Sequence, residues 1–167
     1  MLENENWFDY LSEGQKDLVK QAYSLLEESR IKNKQLGRDE YHDYSFVVFP
    51  MAKAYEGFLK KFFLDAGLID DKTYQGDRFR IGKSLNPDLP SRHRGNWWLY
   101  GPLTDLCKGE KMPYQLWRAW KECRNLLFHF FPKHKHFINQ QEAQKRVEQI
   151  EQAMRTAFSC GLIRSKE

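Results

Sequence analysis

The sequence predicts an all-α helical bundle interrupted by one long basic loop. Three observations carry that reading. Apolar residues recur at three- and four-residue steps in several segments, helix-cap signatures precede two of those segments, and no stretch alternates apolar with polar residues as a half-buried strand would. Stripes of this kind bury against one another in a bundle. The 167 residues fit a single domain, 1–167, with N-terminal helices in 1–44, and 12 Phe, 8 Tyr and 5 Trp supply bulky side chains for its core.

The elements follow in order. Ser12-Glu13-Gly14-Gln15 reads as a capping box, and Leu18, Ala22, Leu25 and Leu26 continue it as an amphipathic helix over 15–31. Residues 32–43, with Gly37, read as a polar loop. Ala52, Tyr55, Leu59, Phe62 and Ala66 make the most apolar helix, which Gly67 stops. Pro50 lacks the amide proton of an interior helical residue, so the expected start lies near Pro50, with Phe46–Phe49 as an entering turn. Residues 71–100 hold Gly76, Gly82, Pro87, Pro90 and Gly95 and read mostly as loop. Pro102 opens a helix ending near Gly109, and Pro113 opens another through Trp117, Trp120, Arg124 and Leu127 to about Phe131, where Pro132 stops it. Asn139-Gln140-Gln141-Glu142 caps a terminal helix carrying Val147, Ile150, Met154, Ala157 and Phe158.

Composition narrows the function classes. No run approaches the ~20 apolar residues of a membrane span, and the acidic start Met1-Leu2-Glu3-Asn4-Glu5 lacks the order of a signal peptide. A soluble, cytoplasmic protein without membrane contact is expected. Cys107, Cys123 and Cys160 form no C-x-x-C pair and read as small buried thiols in a reducing compartment. The net charge of +4 is uneven: residues 1–70 carry 9 basic and 13 acidic side chains, whereas 71–139 carry 13 and 6. A basic excess concentrated in mid-chain suits a polyanion partner. The candidate contacts to an RNA backbone are Arg78, Arg80, Lys83, Arg92 and Arg94, with Lys121, Lys133 and Lys135; Trp97 and Trp98 can stack bases or pack into the core. His129, His134 and His136 match no metal-ligand spacing, and Lys133 and Lys135 beside them oppose a cation, so neither metal nor cofactor is expected.

Chemistry concentrates at Arg124-Asn125-Leu126-Leu127-Phe128-His129. Asn125 and His129, four apart, share a helix face, while Arg124 and His129 point roughly 140° apart in an ideal helix. The long arginine stem can still reach the imidazole if the last turn loosens. As ordinary surface groups, Arg124 would snorkel over aromatics and His129 would bond the last carbonyls.

The same six residues match the Arg-x4–6-His motif of HEPN-domain ribonucleases, including a polar residue directly after the arginine, and the chain resembles that family. The segment Ala54-Tyr55-Glu56-Gly57-Phe58-Leu59-Lys60-Lys61 is similar to a helix in the C-terminal HEPN domain of RnlA/LsoA (RNase LS) toxins. The resemblance covers about 45–160, including Leu99-Tyr100-Gly101-Pro102-Leu103. RnlA-type toxins carry domains ahead of the HEPN unit that these 167 residues lack, and Phe131 stands where some HEPN toxins have a tyrosine that accepts AMP, so that control is not expected.

What the resemblance implies is a metal-independent endoribonuclease, a toxin or phage-defence effector. Its catalytic residues would be Arg124, His129, Glu56 and Asn125. His129 would transfer protons, since an unperturbed imidazole titrates at about 6.5; Arg124 would grip phosphate oxygens with its planar fork; Asn125 would hold His129 or a phosphate oxygen. Glu56 would orient Arg124 or set the protonation of the imidazole, or else merely pair with Lys60 at i+4. One histidine per chain implies a homodimer with two Arg/His sets facing each other, and a toxin implies an antitoxin protein. The competing reading is a non-catalytic helical module that binds RNA or a protein partner.

Overall fold

A computed structural model describes residues 5–133 and 137–162. The architecture is all-α: among the described residues no strand forms. The helices are α1 (Asn6–Asp9), α2 (Glu13–Leu36), α3 (Ser45–Asp65), α4 (Asp71–Gln75), α5 (Ile81–Ser84), α6 (Tyr100–Leu106), α7 (Lys111–Trp120) and α8 (Gln140–Ala157). Single 3-10 turns lie at Ser91–His93 and Phe158–Cys160, and a π-helical turn, Lys121–Asn125, continues α7.

α3 is the centre of the bundle, packed against α2 on one side and α8 on another, with α7 closing on α8. Eleven of its 21 residues are buried, against four of 24 in α2. Val47, Met51, Tyr55, Phe58, Leu59, Phe62 and Phe63 are fully enclosed. The Tyr55 hydroxyl donates to the Leu116 carbonyl at 3.0 Å, which fixes the height of α3 against α7. The buried loop residue Tyr44 donates its amide to the carbonyl of Ile138, tying the start of α3 to the approach to α8.

The predicted capping boxes at Ser12 and Asn139 are both closed reciprocally. Other boundaries differ, each for a physical reason. α2 runs on to Leu36 before Gly37, in the left-handed conformation (φ 66°), ends it. α3 begins at Ser45, not near Pro50: Val47, Val48 and Met51 are completely buried, and that burial holds the turn in place despite the backbone bond Pro50 forfeits. α6 starts two residues before Pro102, which occupies its first turn, where a missing amide proton leaves no bond unmade. The loop 71–100 contains two short helices and a 3-10 turn. The helix expected to run to Phe131 ends as α at Trp120 and as π at Asn125, so Pro132 is not what stops it.

The cysteine expectation is also corrected. Cys107, just past α6, and Cys160, in the last 3-10 turn, are joined in a disulfide with Cα atoms 5.2 Å apart. Only Cys123 is a buried free thiol, and burial pushes its pKa up to about 12, leaving it unreactive. A disulfide persists in an oxidising compartment. No described helix is long and apolar enough to cross a membrane.

Candidate active site

While one side of α3 is buried, Phe49, the pair Ala52 and Lys53, and Glu56 fall three or four residues apart along the side facing the end of α7. With Arg124, Phe128 and His129 they line a cleft of about 380 Å³. Residues 68 and 73 positions downstream of Glu56 thus meet it in one concavity.

The π-turn explains how. The Leu126 amide bonds the carbonyl of Lys121, five residues back, at 2.9 Å, and the Phe128 amide then returns to the four-residue step on Arg124. A π-turn inserts one extra residue into the helical register and is often found at functional sites. The 140° separation between Arg124 and His129, computed for an ideal α-helix, does not apply here: the chain past Asn125 is no longer helical, and both side chains reach the same cleft.

Both flanks of the turn are anchored. Toward α8, the Glu122 carboxylate accepts hydrogen bonds from Arg118 (3.1 Å), Arg146 (3.1 Å) and Gln149 (2.7 Å). Burial would raise the Glu122 pKa, but the bonds from Gln149 and Arg118 outweigh it and hold the carboxyl below the ordinary range. Toward α3, Arg124 donates to Glu56 at 3.3 Å, while its guanidinium carbon lies 4.7 Å from the centre of the Trp120 ring. Glu56 also faces Lys60 at 4.0 Å, so both sequence readings of Glu56 coexist. Ion pair and cation–π contact together fix the guanidinium plane while leaving the side chain 38% exposed.

His129 is exposed and lies on the lip between this cleft and a second of about 350 Å³, lined by Asp43, Ser45, Phe49, Leu127, Phe128, Phe130 and Phe137. Large apolar side chains stand open around that lip: Phe49, Phe130 and Phe137, with Phe130 77% exposed. Exposed aromatics gathered in one place mark an interaction surface more often than chance scatter does.

The remaining sequence candidates divide. Asn125 is half-buried in the π-turn and is not among the residues lining the cleft. Arg78, Arg80 and Lys83 line a separate cleft, with His93, Trp97 and Trp98. Arg94 and Arg92 do not: Arg94 braces the loop by donating to the carbonyls of Leu89 (2.7 Å) and Pro87 (3.2 Å) beneath Trp98, and Arg92 contacts His93. Lys121 sits near the Trp117 ring, and Lys133 is exposed past the turn. Lys135, like His134 and His136, lies outside the described residues. Among the described residues no group of His, Cys, Asp and Glu could hold a metal ion.

Neither a family model nor a curated protein nor a solved structure matches the chain. The site is therefore read from its own geometry. Sequence reasoning missed Lys53, which stands three residues before Glu56 and would have been found by stepping back along that helix face. It also missed Trp120, the platform under Arg124, whose signal is the i, i+4 spacing of an aromatic and a cation. Chemically, the cleft offers a fixed cationic fork, a second cation at Lys53, a carboxylate that positions the fork, and an accessible imidazole. That set can neutralise a phosphodiester and move a proton beside it.

Proposed function

We propose that the protein is a metal-independent endoribonuclease of the HEPN type that cleaves single-stranded RNA by attack of a 2′-hydroxyl on the adjacent phosphorus. The observation that carries this reading is the convergence of Arg124, His129 and Glu56 on one open cleft, with Arg124 oriented by Glu56 and Trp120 rather than left as a free surface cation.

In the proposed reaction Arg124 holds the non-bridging oxygens and stabilises the charge that grows on them in the transition state. Attack requires a base at the 2′-oxygen, and departure of the 5′-oxygen requires an acid. A single His129 fills one of these roles at a time. Two copies facing each other through the aromatic lip would place a second imidazole at the same phosphate, and closure would cover Phe49, Phe130 and Phe137. The products are a 2′,3′-cyclic phosphate and a 5′-hydroxyl. As a toxin or defence effector, the dimer would be held in check by an antitoxin protein masking the cleft.

The test is cleavage of a single-stranded RNA in the presence of EDTA, with the 3′ ends analysed for cyclic phosphate. The wild-type chain is expected to cut, and His129→Ala to lose about 10²–10⁴-fold in rate while keeping its helical content. Undiminished cleavage by His129→Ala would end the proposal.

A second reading draws on the same exposed aromatics: a non-catalytic helical module docking a protein partner through the lip. It predicts RNA that is bound or ignored but never cut.

A further inference from the structure

The loop between α4 and α6 folds back on itself to form a separate cleft of about 660 Å³. Its frame is rigid. Phe79, Ile81 and Leu85 are buried in the core, the Leu99 amide bonds the Ser84 carbonyl at 2.9 Å, and the Trp98 indole donates to the Asn86 carbonyl at 2.9 Å. Arg94 lies 4.1 Å over the Trp98 ring while its fork holds the loop carbonyls. With Trp98 and Arg94 consumed as structure, Arg78, Arg80 and Lys83 line the opening; Arg80 also donates to the carbonyls of Asp77 and Phe79, and no described carboxylate pairs with any of the three. No acidic residue lines the cleft. Trp97 presents an indole that is 44% exposed and held edge-on by Phe79.

A separate observation concerns the wall. Ser84 is 1% exposed, and its hydroxyl is buried without a hydrogen-bond partner. A desolvated, unpaired hydroxyl is costly, and here it belongs to a residue lining a cavity large enough for a ligand that could satisfy it.

We propose that this cleft is a binding site for one unpaired nucleotide, with the phosphate on Arg78, Arg80 and Lys83, the base stacked on Trp97, and Ser84 hydrogen-bonded to the ligand. Three uncompensated cations recognise a phosphate dianion or diester. An open indole recognises the face of a base and, being sequence-tolerant, suits any of the four. The ligand can be a residue of an RNA strand or a free nucleotide; the chemistry is shared. Trp120 links this cleft to the one at Arg124: Gly82, between Arg80 and Lys83, packs so closely on the Trp120 indole nitrogen that a Cβ would sit 2.8 Å from it, while Arg124 covers the ring.

The site does not depend on catalysis, and it is tested with ligands the chain cannot cut: a 2′-O-methyl RNA hexamer, AMP and inorganic phosphate, each titrated into the full chain. The hexamer or AMP is expected to bind, more tightly than phosphate alone. Trp97→Ala, at an exposed position that does not endanger folding, should weaken binding about tenfold. Arg78→Ala, Arg80→Ala and Lys83→Ala should each reduce the slope of log affinity against log salt for the hexamer by about 0.7. Ser84→Ala should weaken AMP about fivefold while its melting temperature holds or rises, because the hydroxyl it removes has no partner in the free protein. Binding of AMP as tight as of the hexamer assigns a free nucleotide; binding of the hexamer alone assigns a strand. Affinities unchanged in Trp97→Ala and the cation variants, phosphate binding as tightly as AMP, or no binding of either nucleotide ligand would overturn the proposal. None of these ligands is cut, so this result stands or falls apart from that of the cleavage assay.

Discussion

The cleft at Arg124 and the cleft at Trp97 both present arginines to solvent, but they are assembled on opposite principles. The first is cut between packed helices. Its arginine is matched by Glu56 and seated on Trp120, and its flanks are fastened by Glu122 to α8 and by Tyr55 to α7. The second is carved from the segment between α4 and α6, whose own polar groups brace it, and its cations have no carboxylate partners. A paired, oriented arginine suits differential stabilisation of a transition state, since no reorganisation is needed as charge develops. Unpaired cations suit ground-state capture of a polyanion, where attraction and counterion release matter more than angle. The difference teaches that cationic residues in one basic stretch need not share a role.

That contrast can be broken by experiment. The largest effect is expected from Arg124→Lys, which keeps the charge but loses the fork and the stack: cleavage should fall about 10²-fold while the salt dependence of RNA binding stays as it was. Equal losses in both readouts would erase the distinction. Glu56→Gln should lower cleavage about tenfold through kcat with KM little changed, because Glu56 positions Arg124 rather than touching RNA; a change confined to KM would contradict that role. Neutralising Arg78, Arg80 and Lys83 together should do the reverse, reducing the salt slope by about 2 with kcat at saturating RNA unaltered. The smallest effect is on stability. The Glu122 carboxyl is held below its ordinary pKa in the fold, so its contribution is fully present above the ordinary glutamate range and is lost as pH falls through the lower folded value. Comparing acid unfolding of wild type with Glu122→Gln should reveal about 1 kcal/mol of pH-dependent stability missing from the variant.

Legibility followed the range of the interactions. The caps at Ser12 and Asn139 are written in four consecutive residues, and the sequence identified both. The all-α class was readable from periodicity alone. Pro50 was misplaced because a local rule about amide protons cannot weigh the burial of Val47, Val48 and Met51. The π-turn left no local signature: what anchors it is Glu122 reaching Arg146 and Gln149, 24 and 27 positions on. The pairing of Cys107 with Cys160 spans 53 residues and was likewise invisible. At the candidate site, Glu56 and Arg124 are 68 positions apart, a distance no periodic pattern bridges, and only the family resemblance named them together. In the basic stretch, composition could count the arginines, but only folding could show that Arg94 braces the loop while Arg78 and Arg80 line the opening.

The π-turn has a consequence for tolerance to changes in chain length. Between Trp120 and Arg124 the count of residues is locked, since the guanidinium must land on that indole and on Glu56 at once. After Asn125 the backbone leaves the helix and reaches His129 through open turns. A one-residue deletion within 121–125 would wring the arginine away from its seat, whereas an insertion between Phe128 and His129 would only lengthen the tether of the imidazole. The interval separating the two groups is thus elastic at its far end and stiff at its near one.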